Sequence, residues 1–157
     1  MKNKHSLALA GGAVLVLALL SYPRWSGWLR SEPPASGTDT VPCINGSLPI
    51  PEQYHIHPEL RMVIGGQEVP LPADIGLKPG CERVLHTHDA DGVIHIEPNF
   101  QREFRLKEFF AVWGEPFGPD RLLDRQGEVR MTVNGEPNSE YGELVLKDKQ
   151  KIVLELR

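Results

Sequence analysis

The stretch that most constrains this chain runs Leu85-His86-Thr87-His88-Asp89-Ala90-Asp91-Gly92-Val93-Ile94-His95-Ile96-Glu97. On either side of Asp91-Gly92, side chains suited to a core alternate with histidine or glutamate. That period of two belongs to a strand with one buried face. Asp-Gly between two such runs is the strongest short-range hairpin signal a sequence carries. A two-residue loop there pairs His88 with His95 and His86 with Glu97. Directly opposed residues share a face. His86, His88, His95 and Glu97 therefore form one polar patch, backed by Leu85, Thr87, Ile94 and Ile96. The assignment of faces holds for any loop with an even number of residues and inverts for an odd one.

Such a patch suits a metal. Imidazole and carboxylate donors bind Zn²⁺, Cu²⁺, Ni²⁺ and Fe²⁺ alike, so the ligand set alone does not choose among them; the cofactor expected is a divalent transition metal ion, copper or zinc, with iron as a further choice. His55-Ile56-His57 adds two imidazoles at the same i,i+2 spacing, which on a strand puts both on one face. They join the site if their strand lies beside the hairpin with matching faces. A single strand histidine is ordinarily a surface or hydrogen-bonded residue, and it is the concentration of five between His55 and His95 that favours ligation. Asp89 and Asp91 read as turn formers, with a ligand role or the orienting of His88 as the alternative for Asp89. Glu59 reads as a solvated neighbour of His55 and His57, with a ligand or base as its alternative. The chain has no Gly-x-Ser-x-Gly, phosphate loop or dinucleotide fingerprint.

The chain's 157 residues, 40% hydrophobic and 24% charged, suit one ordinary domain with an appendage. A net charge of −4 without a basic stripe argues against a nucleic-acid partner. At the N-terminus, Lys2 and Lys4 precede an uncharged apolar run from Leu7 to Tyr22, ended by Pro23. As helix that run rises about 24 Å, short for a span but long for a signal-peptide core. Trp25 and Trp28 follow, as aromatic rings do at a membrane interface. No small-x-small cleavage site closes the run. Residues 1–30 thus read as an uncleaved signal anchor, with a cleaved signal peptide as the alternative. This predicts a single-pass protein of the cell membrane with its domain on the extracytoplasmic side. Residues 31–53, rich in Pro, Ser and Gly, read as a linker, and 54–157 as the domain. Cys43 and Cys81 suit a disulfide in that oxidising compartment. The alternative is a Cys81 thiolate ligand, five residues before His86.

Along the domain, residues 54–64 alternate as a half-buried strand that Pro58 pushes to an edge or a bulge. Gly65-Gly66 turns it into a return strand over 67–71, and 73–80 reads as a loop. Leu106, Phe109, Phe110 and Trp113 fall at i, i+3, i+4 and i+7 before Gly114, a short amphipathic helix with its stop glycine. Residues 115–127 read as a loop with helical character. Val129–Val133 with Asn134-Gly135 gives a further hairpin, and 144–146 and 152–156 the last strands. The pattern is α+β: a small, mostly antiparallel β domain with one short helix, β-grasp-like, with a β-sandwich or small barrel as the alternative.

Three blocks together, Tyr54-His55-Ile56-His57-Pro58-Glu59-Leu60, Cys81 with Leu85-His86-Thr87-His88-Asp89, and Gly92-Val93-Ile94-His95-Ile96-Glu97, resemble the signature of an uncharacterised bacterial and archaeal family, typically exported or membrane-anchored. Phe109 to Gly114 and Val133-Asn134-Gly135 are similar to its later blocks. The resemblance spans about Tyr54 to Leu156. It implies those domain limits and a shared site at His55, His57, His86, His88, His95 and Cys81, without implying a reaction. The function expected is metal handling, or delivery to a membrane or exported metalloprotein. A zinc hydrolase, an iron or copper oxidase, and a pH-sensing interaction module are the alternatives.

Overall fold

The computed structural model describes residues 41–44 and 46–157; the anchor expected over 1–30 lies outside them, as does residues 31–40 of the linker. Among the described residues no helix is long and apolar enough to cross a membrane. In chain order the strands are β1 (Glu59–Ile64), β2 (Gln67–Val69), β3 (Leu77–Lys78), β4 (Cys81–Glu82), β5 (Leu85–His86) and β6 (His95–Ile96). The helix α1 (Leu106–Trp113) follows, then β7 (Phe117–Gly118), β8 (Arg121–Leu122), β9 (Arg125–Gln126), β10 (Val129–Val133), β11 (Glu136–Asn138) and β12 (Lys151–Leu156). The domain is α+β, small and mostly antiparallel, with one α-helix among the described residues.

Its main sheet has the order β11-β10-β12-β1-β2. Only β1 and β12 run parallel; the other pairs are antiparallel. Alternation decides which face is buried. Leu60 and Met62 of β1, Val129 and Met131 of β10, and Ile152, Leu154 and Leu156 of β12 all turn into the core. Leu106, Phe109 and Phe110 of α1 join the same cluster, one stripe of a helix meeting one face of a sheet. Gly114 ends the helix in the left-handed conformation, φ 86°, and its N–H returns to the Phe110 carbonyl. Asn134 and Gly135 turn β10 into β11 with φ values of 53° and 89°, the pair of positive angles a type I′ hairpin needs.

Several expectations give way here. The first strand begins at Glu59 rather than Tyr54, because residues Glu52–Tyr54 curl into a 3-10 turn. Nor is it an edge strand: β1 lies between β12 and β2. Pro58 stands just before the ladder, so its missing N–H costs no strand bond. Glu59 N–H resumes the ladder to Gln150 O at 2.8 Å. Residues 73–80 carry β3 and turn through Pro79-Gly80 into β4. Residues 115–127 form a three-stranded meander, β7-β8-β9, rather than helical turns. Its turns, Pro119-Asp120 and Leu123-Asp124, are too closely spaced to leave room for a helix. Residues 144–146 are not a strand; Val145 makes a single bridge to Arg105 at the entry to α1.

Cys43 and Cys81 are joined in a disulfide. Within the stretch read as linker, Val41 is fully buried. Cys43 bridges Arg83, while Ile44 N–H reaches Glu82 O and Val84 N–H reaches Pro42 O. A short strap, residues 41–44, is thereby laced along 82–84.

Candidate metal centre

Strand β6 is the middle of the site. On one side it pairs with β5 in the register Leu85 to Ile96 and His86 to His95. The expected pairing of His88 with His95 is not formed. The connection, residues 87–94, is longer than the two-residue loop expected, because its polar groups are claimed elsewhere. Thr87 N–H donates to Ile75 O at 3.0 Å, its hydroxyl donates to Pro72 O, and its carbonyl accepts Asp74 N–H. On the far side Ile94 N–H donates to Pro58 O, and Gly92 O accepts Leu60 N–H at 2.8 Å. Asp91 is the turn former it resembles, accepting Val93 N–H on its carboxylate. Since 87–94 is still an even span, the faces come out as expected. Leu85, Thr87, Ile94 and Ile96 are buried behind the site.

On its other side β6 meets residues 55–57. Ile56 and Ile96 exchange two backbone hydrogen bonds, at 3.2 and 3.1 Å. That single antiparallel bridge sets His55 opposite Glu97 and His57 opposite His95, all four on the face away from the two isoleucines. Asp148 fixes the segment by accepting the His57 backbone N–H at 3.0 Å. All six residues singled out as ligands, His55, His57, His86, His88, His95 and Glu97, are thus brought together.

His86 is wholly buried. Its Nδ1 lies 2.8 Å from the Arg83 carbonyl oxygen. A carbonyl has no proton to give, so Nδ1–H donates and Nε2 carries the lone pair. That Nε2 is 3.1 Å from His88 Nε2. Two nitrogens each about 2.0–2.1 Å from one tetrahedral ion stand roughly 3.3 Å apart, so the separation is close to that of co-ligands. Glu97 Oε1 lies 2.8 Å from His55 Nε2 and 3.3 Å from His95 Nδ1. The His95 ring is in contact with His57, His86 and His88, at centroid distances of 4.7, 5.4 and 4.6 Å. The donors form two overlapping sets: His55, His57, His95 and Glu97, and His86, His88, His95 and Glu97. Within each, the donor atoms lie within 4.8 Å of one another.

Burial holds the His86 imidazole below its ordinary pKa of 6.5, against the opposing pull of the Arg83 carbonyl, Glu97 and Glu82. Burial and the neighbouring His95 and His55 lower His57 likewise, with Asp148 and Glu97 opposing. Both are therefore neutral at pH 7, the form that ligates.

Two carboxylates escape the sequence reading. Glu82 Oε1 stands 3.3 Å from His86 Nε2. Its place four residues before His86 was the available signal, hidden because the spacing matters only once β4 turns into β5. Nothing in the sequence ties Asp148 to His57. Cys81 is consumed by the disulfide, which rules out the thiolate-ligand alternative. Glu59 is exposed and faces Lys151 at 4.0 Å. No protein-family profile matches the chain, and no curated protein or solved structure matches it either.

Proposed function

We propose that this chain is a membrane-anchored, extracytoplasmic metal-binding protein that holds copper or zinc in its histidine cluster for metal handling or delivery to a membrane partner. The observation that carries the reading is the convergence of His86 Nε2 and His88 Nε2 at 3.1 Å, with the His86 tautomer fixed by a carbonyl. A carbonyl or carboxylate on the far nitrogen is how proteins orient metal-bound histidines. The disulfide supports an oxidising compartment. Lys2, Lys4, the apolar run and Trp25 and Trp28 support the anchor. The strand order β11-β10-β12-β1-β2, with its central pair parallel and one helix between two hairpins, supports a β-grasp-like fold over a sandwich.

The test is elemental analysis of the full chain, purified in detergent, beside its His86→Ala/His88→Ala variant. Bound copper or zinc that falls at least tenfold in the variant is expected. Metal at trace levels in both, or unchanged by the substitutions, overturns the reading. One observation favours a second reading, a metal-dependent enzyme. Glu82, half-exposed and beside His86 Nε2, is a carboxylate placed to move protons at a metal-bound water.

A further inference from the structure

Resting on the metal reading above, we propose that the cluster is a binuclear centre, with one divalent transition-metal ion on the His55–His57 side of β6, a second on the His86–His88 side, and the Glu97 carboxylate between them. The donors themselves point to it. One ion reaches donors at about 2.0–2.2 Å, so its ligand atoms cannot lie farther than roughly 4.4 Å from each other. Each four-residue set comes near that limit, with all its donor atoms within 4.8 Å. The six residues together form no such set. A single ion would thus leave one imidazole pair without a metal.

The backbone explains why the sets come in twos. β6 is flanked on both sides, by β5 through His86 and His95 and by residues 55–57 through Ile56 and Ile96. Each flank brings its own i,i+2 histidine pair, and β6 contributes His95 and Glu97 to both. An imidazole donates one lone pair, so His95 belongs to one ion at a time. A carboxylate has two oxygens and can bridge ions about 3.5–4 Å apart. Glu97 Oε1 is already in contact with donors on both residues beside it, His55 and His95. Two dications this close repel, and the charge is offset locally. Glu97 belongs to both sets, Glu82 lies 3.3 Å from His86 Nε2, and Asp148 is bonded to the His57 backbone.

The experiment loads the full chain, in a His5→Ala background that removes the tail histidine, with Cu²⁺ after chelator treatment. Copper per chain and the electron paramagnetic resonance signal per copper are both read. The wild-type cluster is expected to take about two ions, and the second equivalent to diminish the signal of the first, as two coppers about 4 Å apart must couple. The His55→Gln/His57→Gln and His86→Gln/His88→Gln variants should each keep one copper with an uncoupled signal; circular dichroism checks their fold. Saturation at one copper overturns the binuclear centre and leaves the metal reading standing. Two uncoupled coppers also overturn it. No retained copper overturns both.

Discussion

His86 sets the terms for the cluster because it is the one imidazole of the five with no exposed surface. Its Nδ1–H is committed to the Arg83 carbonyl, so a proton or a metal can be taken only at Nε2. The two therefore compete for one lone pair. Burial lowers the His86 and His57 pKa values below 6.5, so between those values and 6.5 the unfolded chain binds more protons than the folded one. Stability then rises with pH across that window. The metal-free protein should keep its full stability above about pH 6.5 and lose it progressively as the pH falls through the folded-state values. Thermal melts of the chelator-treated chain from pH 7.5 to pH 5 check this. His86→Gln, which cannot titrate, should flatten the curve, and an equally steep curve in that variant would remove His86 as the cause.

The hairpin β5–β6 shows how an element can be right in its faces and wrong in its register. Alternation about Asp91-Gly92 was enough to sort His86, His88, His95 and Glu97 from Leu85, Thr87, Ile94 and Ile96. It could not say that Thr87 would bond to residues 72–75, or that Gly92 would bond to Leu60, and those long-range bonds fix the register. The same blindness hid the β7-β8-β9 meander, whose strands are two residues each and too short for a period to be read. Helix α1 was legible because its stripe and its stop glycine are local. Gly92 makes the hairpin's dependence on β1 testable. It adopts φ 87°, and a Cβ there would sit 2.8 Å from the Leu60 carbonyl oxygen. Gly135 adopts φ 89° with nothing within 4 Å of its Cβ position. Gly135→Ala should then cost only the backbone strain, about 1 kcal/mol, and Gly92→Ala that strain plus a clash, about 2–3 kcal/mol. Urea unfolding of the two variants measures the difference. Equal losses would mean the 87–94 connection is not held against β1.

In the molecule as a whole, the disulfide and the histidine cluster are parts of one support. Cys43–Cys81 holds the strap 41–44 against 82–84. The Arg83 side chain bonds to the Val41 carbonyl, and the Arg83 carbonyl orients His86. Glu82, beside His86 Nε2, follows Cys81 directly. Paired cysteines could be read from their even count and the export expected of the chain, but not their position behind His86, since that depends on β4 and β5 folding back together. The bridge closes a loop with a sequence separation of 38, so losing it should cost about 3–4 kcal/mol of stability. The effect on metal should be uneven. Cys43→Ser/Cys81→Ser loosens the carbonyl that fixes the His86 tautomer but leaves the Ile56–Ile96 bridge and the Asp148 bond behind His57 intact. Affinity at the His86–His88 pair should fall about tenfold or more, as it does when the partner orienting a ligand is lost, with little change at His55–His57. Copper titrations of the disulfide variant in the His55→Gln/His57→Gln and His86→Gln/His88→Gln backgrounds separate the two. An equal loss at both pairs would show that the bridge acts through stability alone.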